Sequence, residues 1–314
     1  MALASPRAAA PVSPGGHDRP LYALALRLIA MLAISFMFAG VKWLSEHGVH
    51  IVETLFFRQL FALPVVMVGI VMGPGLASIR TQHIGLHASR TFMGMIGMVL
   101  NFGSFILLPL AEATTIGFSM PLFATIFSAL FLREPTGIHR WSAVLIGFVG
   151  VMIIAQPGAH LDISPFGLGV AVSAAILTAI ISMLLRRMSQ IEIPTTIVFW
   201  FSALSLPVLG ALMPFFVQAH DPVVWAILIG TGMIGGLAQI FMTTALRWGP
   251  VAVVLPMDYS SLLWSTLIGW FVWDKLPAPT TWIGAALIIA SGLYIVWRER
   301  VRKRVVTDII VPRE

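Results

Sequence analysis

Apolar residues run along this chain in long unbroken blocks, not in the one-sided or alternating patterns of a water-soluble core. Each block is near the ~17–25 residues that a helix needs to cross the hydrocarbon layer of a bilayer. The first half gives five predicted spans: Leu21–Leu44, Val52–Met72, His87–Leu108, Ala111–Leu132 and His139–Gln156. The second half gives Pro165–Arg187, Thr195–Val217, Pro222–Leu246, Gly249–Trp273 and Thr280–Trp297. Polar residues collect between the blocks, and the few inside them are where chemistry is expected. The densest group is Val253–Trp264, VVLPMDYSSLLW, where an acid, a tyrosine and two serines interrupt an apolar run. Pro256 removes a backbone donor just before Asp258, so the helix is expected to weaken beside the acid.

Composition agrees with the pattern. Of 314 residues, 58% are hydrophobic and 10% are charged, with a mean hydropathy of +0.94, whereas a soluble domain carries about 25% charged residues. The fold class is therefore an all-α membrane protein, with the lipid bilayer as its surroundings. The net charge of +6 does not point to nucleic acid, because of where the basic residues sit. One set of loops holds Arg80, Arg90, Arg133, Arg140, Arg186, Arg187 and Arg247, and the C-terminal tail adds Arg298, Arg300, Arg302, Lys303 and Arg304. The opposite loops hold Glu46, Asp162, Asp221 and Asp274, with Lys42 and Lys275. That positive-inside asymmetry predicts both termini in the cytoplasm, an even number of spans and residence in a bacterial inner membrane. The chain has no cysteine, which excludes disulfides and thiolate metal sites. The histidines lie at span ends or in loops without ligand spacing, so neither a metal nor a cofactor is expected.

The two halves resemble one another at an offset of about 140 residues. Gly94-Met95-Ile96-Gly97 recurs as Gly232-Met233-Ile234-Gly235, and Asn101 then maps onto Gln239. Leu63-Pro64-Val65 returns as Leu206-Pro207-Val208, and Pro121 has a near counterpart in Pro256. Five spans per half is an odd number, so the second copy enters the membrane upside down: ten transmembrane helices as two inverted five-helix repeats. The expected divisions are a disordered tail over residues 1–20, one repeat over 21–156, a linker over 157–164, the second repeat over 165–297 and a basic tail over 298–314. Inverted repeats set a binding site between the halves, near the membrane midplane.

Asp258 is the acid set deepest in a span, and an intramembrane charge needs a partner, a proton or water. It is expected to carry a proton, or to serve as counter-ion to a cationic substrate or a basic side chain. The bland alternative is helix-to-helix glue. Tyr259 and Ser261 supply hydrogen-bonding groups beside it, with Ser261 on the same face as Asp258. Arg58 cannot shed its charge, so it meets an acid (Asp258, Glu53 or Glu112), binds an anionic ligand or snorkels to the surface. Asn101 and Gln239 either bridge helices or bind substrate. Trp264 and Trp200 sit away from the expected interfaces, where they stack on a flat substrate or fill space between helices. Glu53 and Glu112 read as loop-proximal charges, and Gly232 and Gly236, at GxxxG spacing, as a close helix contact.

The stretches FLREPTGIHRWSAVLIGFVGVMII and WDKLPAPTTWIGAALIIASG pair an acid closing one span with a tryptophan and small residues opening the next. With PLAEATTIGFSMPLFATI and the run from Gly235 to Trp264, they carry a resemblance to the drug/metabolite transporter superfamily, specifically its EamA-type ten-span carriers. That run is similar to members linked to riboflavin or S-adenosylmethionine uptake, though Asp258 stands where a glutamate is as common. The resemblance implies a secondary transporter of a small-molecule substrate, working by alternating access and with a proton as the coupling ion under consideration. An exporter of amino acids or toxic metabolites is the alternative in the same class. A channel lacks a continuous polar stripe, and a lipid-modifying enzyme lacks clustered acids or histidines, so an enzyme is not expected.

Overall fold

A computed structural model of the chain describes residues 19–131, 137–155, 164–189, 191–248 and 254–310. The expected N-terminal tail up to residue 18, the expected linker up to residue 163 and the last four residues of the basic tail lie outside them. The described residues are all helical or loop: α1 Pro20–Glu46, α2 Ile51–Met72, α3 Ile84–Leu107, α4 Leu110–Gly117, α5 Met120–Phe131 and α6 Ile138–Ala155 in the first half. The second half has α7 Pro165–Met188, α8 Pro194–Phe216, α9 Pro222–Trp248, α10 Ser260–Trp273 and α11 Pro279–Ile310. Short 3-10 turns occupy Leu76–Ile79 and Leu255–Tyr259.

The ends of these helices are written in the sequence. Proline opens α1, α7 and α8, where its missing N–H costs nothing. Ser164 caps α7 by accepting from the Gly167 N–H at 3.4 Å. Asp274 closes α10 in the left-handed region, φ 51°, and the N–H groups of Asp274 and Lys275 return to the carbonyls of Trp270 and Gly269.

Nine helical stretches among the described residues are long and apolar enough to cross a membrane, with α4 and α5 together forming one of them. The remaining crossing, ninth in chain order, is made in two pieces, the 3-10 turn Leu255–Tyr259 and α10, so the backbone is broken where Pro256 predicts. The first half breaks correspondingly between α4 and α5. The two breaks face each other: the rings of Phe118 and Tyr259 meet edge to face with centroids 4.9 Å apart.

Packing follows the repeat. Helix α1 lies along α9 as α7 lies along α3, α2 faces α8, and α6 faces α11. Each pair joins one half to the other, as two interlocked inverted units require. Glycines make the closest crossings possible. A side chain at Gly232 would stand 2.6 Å from the Cβ of Phe61 and 3.0 Å from the Phe57 carbonyl, and one at Gly236 would meet Val65 at 2.9 Å. The GxxxG pair thus seats α9 on α2, as the sequence suggests. Outward faces are apolar, with Phe92, Leu145, Val149 and Met152 all exposed, which suits lipid and not water.

The end of the bundle where α1 starts and α11 finishes is here the tail end. The opposite one, closed by the Trp273 indole N–H donating to Glu46 at 2.6 Å, is the far end.

Candidate functional site

Two arginines meet in one cavity between the halves, and no acid among the described residues lines it. The cavity, about 420 Å³, is bounded by α1, α2 and α3 on one side and α7, α8 and α9 on the other. Arg58, on the second turn of α2, turns into it. Its Nη1 donates to the Gln59 side-chain carbonyl at 2.9 Å and reaches the Met98 sulfur at 3.6 Å. The guanidinium lies 5.7 Å from the Phe102 ring centroid. Arg90, on the second turn of α3, lies 4.4 Å from the Phe201 ring centroid. Arg58 Nε and Arg90 Nε and Nη1 are buried without a hydrogen-bond partner, which is expensive for a charged donor. Gly94 makes the room: any side chain there would collide with the Arg90 guanidinium and stand 2.6 Å from Phe201.

Neutral polar groups complete the wall. Gln59 donates to Ser205 across the α2–α8 contact at 2.8 Å. Asn101 donates to Thr178 and to the Gly97 carbonyl, each at 3.1 Å, bridging α3 to α7. Gln239 lines the same cavity from α9. Such a site favours a flat, acceptor-rich or anionic guest, since guanidinium and amide donors converge beside aromatic faces.

Cavities follow one another along the bundle axis. Toward the tail end, the arginine cavity shares Val66, Val198 and Gln239 with one of about 660 Å³. Inward, it shares Phe38, Asn101 and Thr178 with a smaller one of about 170 Å³. The smaller one shares Ser265 with a cavity of about 500 Å³ at the far end. Between these last two, Thr114 of α4 and Ser265 of α10 are hydrogen-bonded at 2.8 Å. Phe38 and Phe105 stack alongside, centroids 3.8 Å apart.

Of the residues singled out by sequence, Arg58, Asn101 and Gln239 come together here. Arg58 does not snorkel, and it pairs with none of Asp258, Glu53 or Glu112. Asp258 stands apart, engaged as counter-ion to a basic side chain: Arg27 of α1 donates from Nε to Oδ1 at 2.5 Å and from Nη2 to Oδ2 at 2.6 Å. Ser261 donates to the Asp258 backbone carbonyl at 2.6 Å and lines the small middle cavity. Tyr259 packs on Phe118, and its hydroxyl occupies the space left by Gly292. Trp264 lines none of these four cavities, and its indole nitrogen is buried without a partner. Trp200 packs between helices, its ring centroid 6.1 Å from that of His87 on α3, and donates to the Ile79 carbonyl at 2.9 Å near the tail end.

Sequence reasoning missed Arg27 and Gln59, and assigned Arg90 to a loop. Arg27 is visible in the first apolar block, and Arg90 lay just inside the third. Their partners come from helices far away in the chain, so neither role could be read locally. Glu53 and Glu112 do follow loops, in the first turns of α2 and α4, but they are buried. Glu53 is fully buried with an oxygen 2.9 Å from His220 Nε2, and Glu112 is 5% exposed.

With this geometry in view, the chain can be set beside known proteins. Residues 21–156 and 165–297 each match the EamA-like transporter family. A riboflavin transporter of Vibrio cholerae is 34% identical over 72% of this chain and 76% of its own length. An S-adenosylmethionine uptake transporter of Rickettsia conorii is 27% identical over 80% of this chain and 84% of its own length. A solved crystal structure, 20% identical, shares the fold with a TM-score of 0.60, covering 87% of this chain and 96% of that one.

Proposed function

We propose, from the premise that the chain belongs to the EamA-like transporter family, that its cargo is a flat, uncharged or anionic heteroaromatic metabolite of the riboflavin kind. Small-metabolite transport follows from the family and its relatives; the cargo and the path are our reading. The observation that carries it is the pair Arg58 and Arg90, buried with open donors in a cavity that no acid lines among the described residues. A fused-ring dione offers carbonyl and ring-nitrogen acceptors to those guanidinium donors, and its faces suit Phe102 and Phe201. A sulfonium such as S-adenosylmethionine would bring a positive centre toward two arginines, so the charge argument separates the two uptake activities found among relatives.

Transport then requires the cavity to change sides. The arginine cavity reaches the tail end, while the Thr114–Ser265 contact and the Phe38–Phe105 stack close the way to the far end. Rocking of the two repeats, residues 21–156 against 165–297, about the paired breaks at Phe118 and Tyr259 would open the second path and shut the first. By the positive-inside asymmetry the tail end is cytoplasmic, in a bacterial inner membrane.

The test is flux into proteoliposomes containing the purified protein. Labelled riboflavin is expected to enter saturably, S-adenosylmethionine not to enter, and Arg58→Gln to lose riboflavin entry while keeping its fold. Entry of S-adenosylmethionine in preference to riboflavin would overturn the reading.

A further inference from the structure

We propose that Glu112 is a proton-binding site that couples cargo movement to a proton gradient, loaded from the far end of the bundle while cargo occupies the arginine cavity. This rests on the transport reading above but not on the identity of the cargo.

Glu112 opens α4 and lines the far-end cavity of about 500 Å³. Thr281 of α11 donates to its Oε1 at 3.1 Å, and its Oε2 is buried with no partner. The other charges of that cavity are Lys42 and Glu46 from α1, and Asp274 and Lys275 from the turn after α10. Lys42 spends its hydrogen bonds elsewhere: its ammonium donates to the carbonyls of Phe105, Ile106 and Leu108 at 3.3, 3.3 and 3.0 Å, using all three of its donors, so that it reaches Glu112 only by through-space attraction. Glu46 lies 3.9 Å from that same ammonium. Among the described residues, no titratable side chain of α3, α7 or α11 lines the cavity. Among the described residues, then, Glu112 has no cation at ion-pair distance.

A buried carboxylate in that position is costly while charged, and binding one proton removes the charge without any coordination shell. A metal ion would need about six oxygen ligands, and no cluster of acids or histidines suited to one occurs among the described residues. Position links this proton to the cargo path. Thr114, two residues further along α4, makes the hydrogen bond to Ser265 that separates the far-end cavity from the middle one. The helix that carries the acid also carries the seal, so a charge change at Glu112 acts on the element that must move.

The experiment compares wild type with Glu112→Gln in proteoliposomes, using labelled riboflavin as probe. Wild type is expected to take up riboflavin faster under an imposed pH gradient. Glu112→Gln is expected to lose that acceleration while still exchanging internal for external riboflavin. Persisting acceleration in the variant sinks the proposal. In parallel, wild-type protein in detergent is treated with dicyclohexylcarbodiimide, which adds to protonated carboxyls in apolar sites, and the adduct is located by mass spectrometry. Labelling at Glu112 in mildly acidic buffer, fading in alkaline buffer, supports the site whether or not riboflavin is the cargo. An unlabelled Glu112, or labelling indifferent to pH, overturns it. If riboflavin does not move but Glu112 labels as expected, the flavin reading fails and this one stands.

Discussion

Arg27 and Asp258 stand 231 residues apart in the chain and form a two-pronged ion pair, Nε to Oδ1 at 2.5 Å and Nη2 to Oδ2 at 2.6 Å. The pair ties the start of α1 in the first repeat to the 3-10 turn of the broken ninth span in the second. Arg27 is nearly enclosed, its side chain 4% exposed, while that of Asp258 is 36% exposed. The arrangement satisfies an intramembrane acid without water and fixes a helix break that Pro256 would otherwise leave loose.

Breaking this pair from either side leaves a lone charge. Arg27→Met and Asp258→Asn are each expected to destabilise the folded protein by about 2 kcal/mol, below the value for a fully buried pair because Asp258 is partly exposed. The double variant should recover much of that loss. Thermal unfolding of the four proteins in one detergent measures the coupling. Additive losses would mean that the two residues do not act as a pair.

Arg58 is expected to trade stability against binding. Arg58→Met removes an incompletely satisfied buried charge and should raise the unfolding temperature of the empty protein. The same change should weaken riboflavin binding by at least about tenfold, the scale of one charge-assisted hydrogen bond. Melting curves with and without ligand separate the two effects. A variant both less stable when empty and unchanged in binding would assign Arg58 to structure alone.

Two glycines on α9 should behave oppositely. Gly232→Ala presses a methyl group against the Phe61 Cβ and two α2 carbonyls, at 2.6, 3.0 and 3.1 Å, and is expected to cost about 1–3 kcal/mol. Gly230→Ala meets nothing within 4 Å and should be neutral or stabilising by up to about 1 kcal/mol. Unfolding midpoints decide this, and equal losses at both sites would contradict the α2–α9 packing.

Sequence by itself determined the spans, their number and the doubling of the chain, because the bilayer imposes a length and a polarity on every crossing segment regardless of its neighbours. It also located the break at Pro256, a local property of one residue's missing N–H, and the GxxxG contact. Asn101 and Gln239 were legible as a symmetric pair because repetition is itself a sequence property. Tertiary structure decided who meets whom. Asp258 found Arg27; Arg58 found no acid; Arg90 came in from a presumed loop; Glu53 and Glu112, beside loops in the chain, proved buried. A charge inside a membrane protein is defined by its counter-charge, and here the partners come from helices brought together only by interlocking the two repeats.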